Sequence, residues 1–303
     1  MKPAAFEYHR AYDLDGAVEL LAELGEDAKL LAGGLSLVAM MNFRLARPSA
    51  LVDLTRIEDL SYLRRDDDGA LRIGALTTHH AVETGHDVLG DAFSVFPRAA
   101  RYMGHYPIRT RGTFGGSIAH CDSTAEWCLL AILLDAQVVV CSRDRGTRTI
   151  AARDFLLGFF TTALESDEAV VEVVFPRPAP HAALTEFAQR KGDFAVVAAA
   201  VDLDLDDGPG GRCRGGRVAL GGVDATVVRI PEAEALLADG APGEDLWREV
   251  AEAAAGAIEP GADAHASAEH RRTLTRTLLV RALREAATGS MAPPDAPTDG
   301  ARA

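Results

Sequence analysis

The sequence predicts an α+β protein: a ligand-binding domain of mixed strands and helices, followed by a smaller α+β domain with a three-stranded antiparallel sheet plus helices. Three observations predict it. Strand and helix patterns intermingle up to Phe175. The segment Pro176-Arg177-Pro178-Ala179-Pro180 then reads as a linker. Beyond it, three strand patterns come first and three helical patterns after. The expected organisation is residues 1–176 for the first domain, with subdomains of about 1–57 and 58–176, then 177–287 for the second. Residues 288–303 are rich in Pro, Ala, Gly and Asp and are expected to be a disordered tail.

Each element has its own signal. Asp13 or Asp15 caps a helix over 13–25, with Ala17, Val18, Leu20, Leu21 and Leu24 on one stripe and Gly25 as its stop. Lys29–Ala32 is a short strand, Leu37–Leu45 a helix and Ala50–Leu54 a second strand. A turn at Asp66–Gly69 leads into a strand at Ala70–Ala75, and Thr78 caps a helix over 79–85. Helices are expected at Phe93–Met103 and Ala125–Leu134. Gln137–Cys141 pairs with Arg148–Ile150 across a polar turn, and Ala169–Phe175 is a β-branched strand. Past the linker come strands at Ala183–Arg190, Ala195–Leu205 and Gly216–Leu220, with a turn at Asp206–Gly211. Helices follow at Pro231–Ala238, Glu244–Ala257 and Ala268–Ala287.

Composition narrows the function. The net charge of −14 over 303 residues argues against a nucleic-acid partner, whose binding surfaces are usually basic. Apolar runs such as Ala195–Val201 are too short to span a bilayer. The N-terminus lacks the apolar stretch of a signal peptide, so a cytoplasmic location is expected. Cys121, Cys128, Cys141 and Cys213 include no C-x-x-C pair and match no zinc or iron–sulfur spacing. No metal site is expected, so redox chemistry would need an organic cofactor.

Two glycine pairs are the strongest local signals: Leu31-Ala32-Gly33-Gly34-Leu35-Ser36-Leu37 and Thr113-Phe114-Gly115-Gly116-Ser117-Ile118-Ala119-His120. Glycine lets the chain turn tightly and brings backbone N–H groups close to a large anion. Two such segments suggest a long ligand with a phosphate-bearing middle, as in a dinucleotide. The first reads Gly-Gly-x-Ser, not the G-x-G-x-x-G of a doubly wound dinucleotide fold, which is therefore not expected.

Six landmarks in order carry a family resemblance over nearly the whole chain, up to about Ala287. They are Ala32–Leu37, Leu51–Ile57, Leu71–Thr77, Arg111–Ser117, Arg190–Ala195 and Ser267–Arg272. With them the chain resembles the FAD-binding medium subunit of the molybdenum hydroxylases, of the carbon monoxide dehydrogenase and xanthine dehydrogenase type. The resemblance implies a PCMH-type (vanillyl-alcohol-oxidase-like) FAD-binding domain of two α/β subdomains, with FAD as cofactor. It also implies partners: a large subunit with the molybdenum cofactor and a small subunit with two [2Fe–2S] clusters. The chain would hand electrons to NAD, a quinone or oxygen. A stand-alone flavoenzyme without molybdenum partners, and an assembly protein that has lost the cofactor, are the competing readings.

The resemblance also implies residue roles. Leu31, Ala32, Gly33, Gly34, Leu35, Ser36 and Leu37 would cradle the pyrophosphate. Thr113, Gly115, Gly116 and Ser117 would contact the pyrophosphate and the ribityl–flavin end; Ser117 stands where the family often has Asn or Asp. Glu126 falls on the family's ribityl-binding acid, with Asp122 as competitor, and both also suit a helix start. Val170 falls where relatives' backbone touches the ring. His120, beside Asp122, is the one candidate for proton handling, though a loop-shaping hydrogen bond explains it as well. Glu186 stands where family members often carry Lys, a reversal of charge that bears on the flavin's potential if the side chain faces the ring. His105 and Arg109 are expected near the flavin entrance, and His79 and His80 are expected to be structural. The charged residues of Ser267–Arg272 are expected on a solvated face or against a partner subunit.

Overall fold

The computed structural model describes residues 1–206, 212–238 and 240–289. The N-terminal sheet is parallel, in the order β1-β3-β2, from β1 (Glu7–Arg10), β2 (Ala28–Leu31) and β3 (Ala50–Asp53). Two helices link its strands: α1 (Leu14–Leu24) and α2 (Leu35–Asn42). Asp13 caps α1 by accepting from the N–H of Gly16 at 2.7 Å, and Gly25 ends it at φ +80°. Ala17, Val18 and Leu21 are its buried stripe, as the periodicity predicts. The strand β1 was not foreseen. Glu7-Tyr8-His9-Arg10 has no apolar alternation, and its ordering comes from a remote partner, the fully buried β3. There the Tyr8 hydroxyl donates to the Asp53 carboxylate.

A five-stranded antiparallel sheet follows. Its members are β4 (Leu63–Arg65), β5 (Leu71–Gly74), β6 (Gln137–Ser142), β7 (Gly146–Ala151) and, after a small hairpin of β8 (Leu156–Gly158) and β9 (Thr161–Thr162), β10 (Glu168–Phe175). The order is β4-β5-β10-β6-β7. Between β5 and β6 lie α3 (His79–Thr84), α4 (His86–Leu89), α5 (Val95–Ala100), α6 (Tyr106–Arg109), α7 (Phe114–His120) and α8 (Glu126–Leu133); α9 (Ala152–Phe155) follows β7. The helix expected over Phe93–Met103 is shorter than its pattern. A 3₁₀ turn at Asp91–Phe93 precedes α5, and the helix ends at Ala100. Trp127 through Leu133 of α8 are all buried, so this helix runs through the core rather than over it.

The C-terminal sheet is β11 (Ala182–Phe187), β12 (Val197–Leu205), β13 (Cys213–Gly221) and β14 (Val228–Arg229), antiparallel in chain order. It corrects the three strands expected: β14 has two residues, too short for any alternation, and is held by Ala219 and Leu220 of β13. One face of this sheet packs α10 (Pro231–Leu237), α11 (Glu244–Ala257) and α12 (Ala268–Thr288). The other face packs α5 and α8. The alternation of strand side chains is visible in the two cores. Ala182, Leu184, Ala198 and Ala200 belong to the core around α8, while Ala183, Ala199 and Val201 belong to the core with α12. The turn expected at Asp206–Gly211 lies, from Asp207 on, outside the described residues, as does the expected tail from Ser290.

Candidate FAD site

The two glycine segments touch. A Cβ on Gly33 would stand 2.3 Å from the carbonyl oxygen of Arg111 and 3.0 Å from the Cα of Gly112. A Cβ on Gly116 would come within 3.9 Å of the Ala32 side chain. Residues far apart in sequence therefore form one surface, and glycine is what permits the approach.

Their chemistry differs. Gly34 sits in the left-handed region at φ +75° and forms the N-cap of α2 with no side-chain cap. The first-turn N–H groups of Leu35, Ser36 and Leu37 have no carbonyl inside the helix to bond. They form a donor cluster at the positive end of the helix dipole, suited to a phosphate. Leu31 and Ala32 lead into this turn from β2, and Leu31 through Leu37 are half-buried. The second segment has its backbone donors engaged. Phe114 N–H bonds Thr77 O at 2.8 Å, Gly115 N–H bonds Ala75 O at 2.9 Å, and Ser117 N–H bonds Thr113 O at 3.1 Å. Gly116 N–H bonds the Thr113 hydroxyl, which caps α7. This is a helix start, not a loop. It offers glycine surface and the Ser117 hydroxyl beside the open turn of α2.

Two half-buried carboxyls expected at the site, Glu126 and Glu186, have raised pKa values. Glu126 opens α8, and burial pushes its carboxyl up to about 7, with Asp122 adding to the rise. Asp122 shapes the preceding turn by accepting from the N–H and hydroxyl of Thr124, both at 2.8 Å. Glu186, in β11 opposite Ala198, is driven well above the usual carboxylate range by burial and by Glu126. Its Oε2 is buried with no hydrogen-bond partner. An orphaned acceptor or donor of this kind fits a missing polar ligand. Val170 lies in β10 opposite Val140, 6% exposed, within the hydrophobic core.

His120 ends α7 and stacks on Phe160, with ring centroids 4.7 Å apart. Burial lowers its pKa, which Asp122 partly opposes. Phe160 is itself in the left-handed region at φ +51°, and its N–H bonds Cys121 O at 3.1 Å. No sequence signal marked this contact, because an aromatic residue is not expected at positive φ. A cleft of about 820 Å³ adjoins Asp122, between Phe159 of the hairpin, Phe194 and the turn after β13.

One expectation is revised, that of Arg271, and two other residues gain specific partners. Arg109, expected near the flavin entrance, donates to Glu83 at 2.8 Å and to the carbonyls of Met103 and Gly104. Arg271 is not on a solvated face. It is 7% exposed and donates to the carbonyls of Val196 and Gly222 and to Asp263. His79 is structural, as expected, and its role is now specific. It accepts at Nδ1 from the Trp127 indole at 2.9 Å, and its backbone N–H holds Gly112 O at 3.0 Å. Burial, with the Arg109 charge adding to it, lowers the His79 pKa from 6.5 to about 4.

That shift has a sign. The folded chain binds the His79 proton more weakly than the unfolded chain, so the contribution is fully present above about pH 6.5 and is lost as pH falls towards 4. Chemical unfolding of wild type and His79→Gln at stepped pH should show the loss as a difference of about 3 kcal/mol over that window. Parallel pH profiles for the two proteins would contradict it.

Comparison with known proteins gives the family. A sequence family described as "FAD binding domain in molybdopterin dehydrogenase" matches residues 4–178, and one described as "CO dehydrogenase flavoprotein C-terminal domain" matches residues 182–286. The chain belongs to the FAD-binding medium subunits of the molybdenum hydroxylases. Like them it is an FAD-dependent oxidoreductase subunit with a PCMH-type fold. Among similar medium subunits is the 6-hydroxypseudooxynicotine dehydrogenase complex subunit alpha of Paenarthrobacter nicotinovorans, 38% identical over 94% of this chain and 96% of that protein. The carbon monoxide dehydrogenase medium chain of Afipia carboxidovorans is 35% identical over 94% and 98%. The structure of quinoline 2-oxidoreductase from Pseudomonas putida 86 matches with a TM-score of 0.90 at 36% identity, covering 96% of this chain and 100% of that one.

Proposed function

We propose that this medium subunit is the electron exit of a molybdenum hydroxylase complex. It accepts electrons from [2Fe–2S] clusters of a small partner subunit and passes them to an external acceptor: NAD, a quinone or oxygen. A large subunit with the molybdenum cofactor carries out the hydroxylation and chooses the substrate. The observation that carries this reading is the contact of the two glycine segments beside the uncapped start of α2.

Bound FAD would supply the hydride and one-electron chemistry. The chain's part is to bind and orient it. Leu35, Ser36 and Leu37 offer N–H donors to the pyrophosphate, with Leu31, Ala32, Gly33 and Gly34 shaping the turn. Thr113 holds Gly116, so that Gly115, Gly116 and Ser117 form the facing wall. Glu126 is the acid for the ribityl chain, and Asp122 sets the turn in front of it. Val170 backs the ring from β10. His120 is a loop-shaping residue, since its ring is stacked on Phe160. Among the described residues no group of His, Cys, Asp and Glu could hold a metal, and no helix is long and apolar enough to cross a membrane. In this reading iron and molybdenum belong to the partner subunits.

The test is the composition of the native assembly. A tagged chain recovered from the cell that encodes it should carry molybdenum, iron and flavin in constant proportion, with about four iron atoms per flavin for two [2Fe–2S] clusters. A yellow chain without metals that a small metabolite reduces directly would establish the stand-alone reading instead.

A further inference from the structure

Among the described residues, Glu186 Oε2 is the buried side-chain oxygen that meets no hydrogen-bond partner. Its place in the fold says what it faces. In β11, Thr185 points to α12, where its hydroxyl donates to Leu278 O at 2.9 Å. Leu184 points the other way, into the core around α8. Side chains alternate along a strand, so Glu186 shares the face of Leu184. That face lies between the C-terminal sheet and α8, whose first residue is Glu126. A carboxyl from the C-terminal sheet and one from the start of α8 thus act on one another across this interface.

We propose that Glu186 acts as a neutral carboxylic acid whose O–H donates a hydrogen bond to an acceptor atom of bound FAD, with Glu126 across the interface keeping it protonated. The inference rests on the FAD reading above. Two like charges in a water-poor gap cannot both ionise cheaply, so the pair retains a proton. Both carboxyls are raised above the usual range, first by burial and then by a neighbouring acid. The other charged groups around Glu186 do not neutralise it. Arg98 of α5 donates to Ser94 O and Ala182 O at 3.0 and 2.8 Å. Tyr102, just after α5, is itself pushed up to about 12 by burial, Glu186 and Glu285. Arg281 and Glu285 of α12 act on Tyr102 with opposite signs. The protonated acid brings a hydrogen-bond donor without charge to this face, beside its remaining acceptor capacity.

The test is flavin retention by the holo chain between about pH 6 and about pH 10, the range where buried glutamates titrate. Released FAD is measured by its fluorescence after ultrafiltration. Wild type should release flavin as pH rises, its dissociation constant growing about tenfold per pH unit once Glu186 ionises. Glu186→Gln keeps an N–H donor in the same place and cannot ionise, so it should hold FAD across the whole range. Glu126→Gln removes the charge that opposes ionisation and should move the wild-type profile to lower pH. A flat wild-type profile, or a Glu186→Gln profile as steep as wild type, would overturn the proposal while leaving the FAD reading intact. A wild-type chain that holds no FAD at any pH would instead remove the reading on which it rests.

Discussion

Gly33→Ala should strip the chain of flavin. The added Cβ would lie 2.3 Å from Arg111 O and 3.0 Å from Arg111 C and Gly112 Cα. All three are backbone atoms, and no rotamer change relieves them. To reach ordinary contact the two glycine segments must separate by about 1 Å, at a cost of about 1–3 kcal/mol for overpacking. The separation falls where the N–H groups of Leu35, Ser36 and Leu37 must aim at one anion, and helix-terminus donors lose effect steeply with misplacement. The flavin-to-protein ratio after desalting should fall at least about tenfold, equivalent to about 1.4 kcal/mol. Gly256→Ala in α11, where an added Cβ meets nothing within 4 Å, is the control and should leave the ratio unchanged. Full flavin content in Gly33→Ala would show that the contact does not shape the site.

The second large effect is on stability. Arg271→Ala should destabilise the fold by about 3 kcal/mol, because it removes charge-assisted hydrogen bonds to two carbonyls and a carboxylate. Those partners come from three places: Val196 at the entry to β12, Gly222 after β13, and Asp263 before α12. The guanidinium ties the start of α12 to the sheet. Gly222 is also fixed by its own N–H bond to Ser123 O at 3.0 Å, so the loss should be felt near Asp122. Denaturant unfolding reads the change; a shift under about 0.5 kcal/mol would mean the arginine is no more than a surface cation.

Most of the architecture was legible because the elements obey local rules. Asp13, Thr78 and Ser267 cap the helices their positions announce. In the first glycine segment Gly34 takes the left-handed conformation that only glycine enters freely. The second has its backbone donors engaged within the fold. Gly-Gly there allows close packing, since a Cβ on Gly115 would lie 2.6 Å from the Ala75 side chain, and the N–H groups serve the fold. Sequence alone cannot separate a glycine that frees donors from one that admits a neighbour. Arg271 escaped for a related reason. It follows Ser267-Ala268-Glu269-His270 on a helix rich in charge, and its burial depends on carbonyls from distant turns. The short strands β1 and β14 have no periodicity to read and exist through their partners.

Whether this chain holds FAD is read directly from the visible spectrum of the purified protein. Flavin absorption bands, with FAD identified after heat release, are the predicted result. A colourless chain that takes up no added FAD would contradict the assignment of the α2 donor turn and the Gly115–Gly116 wall together.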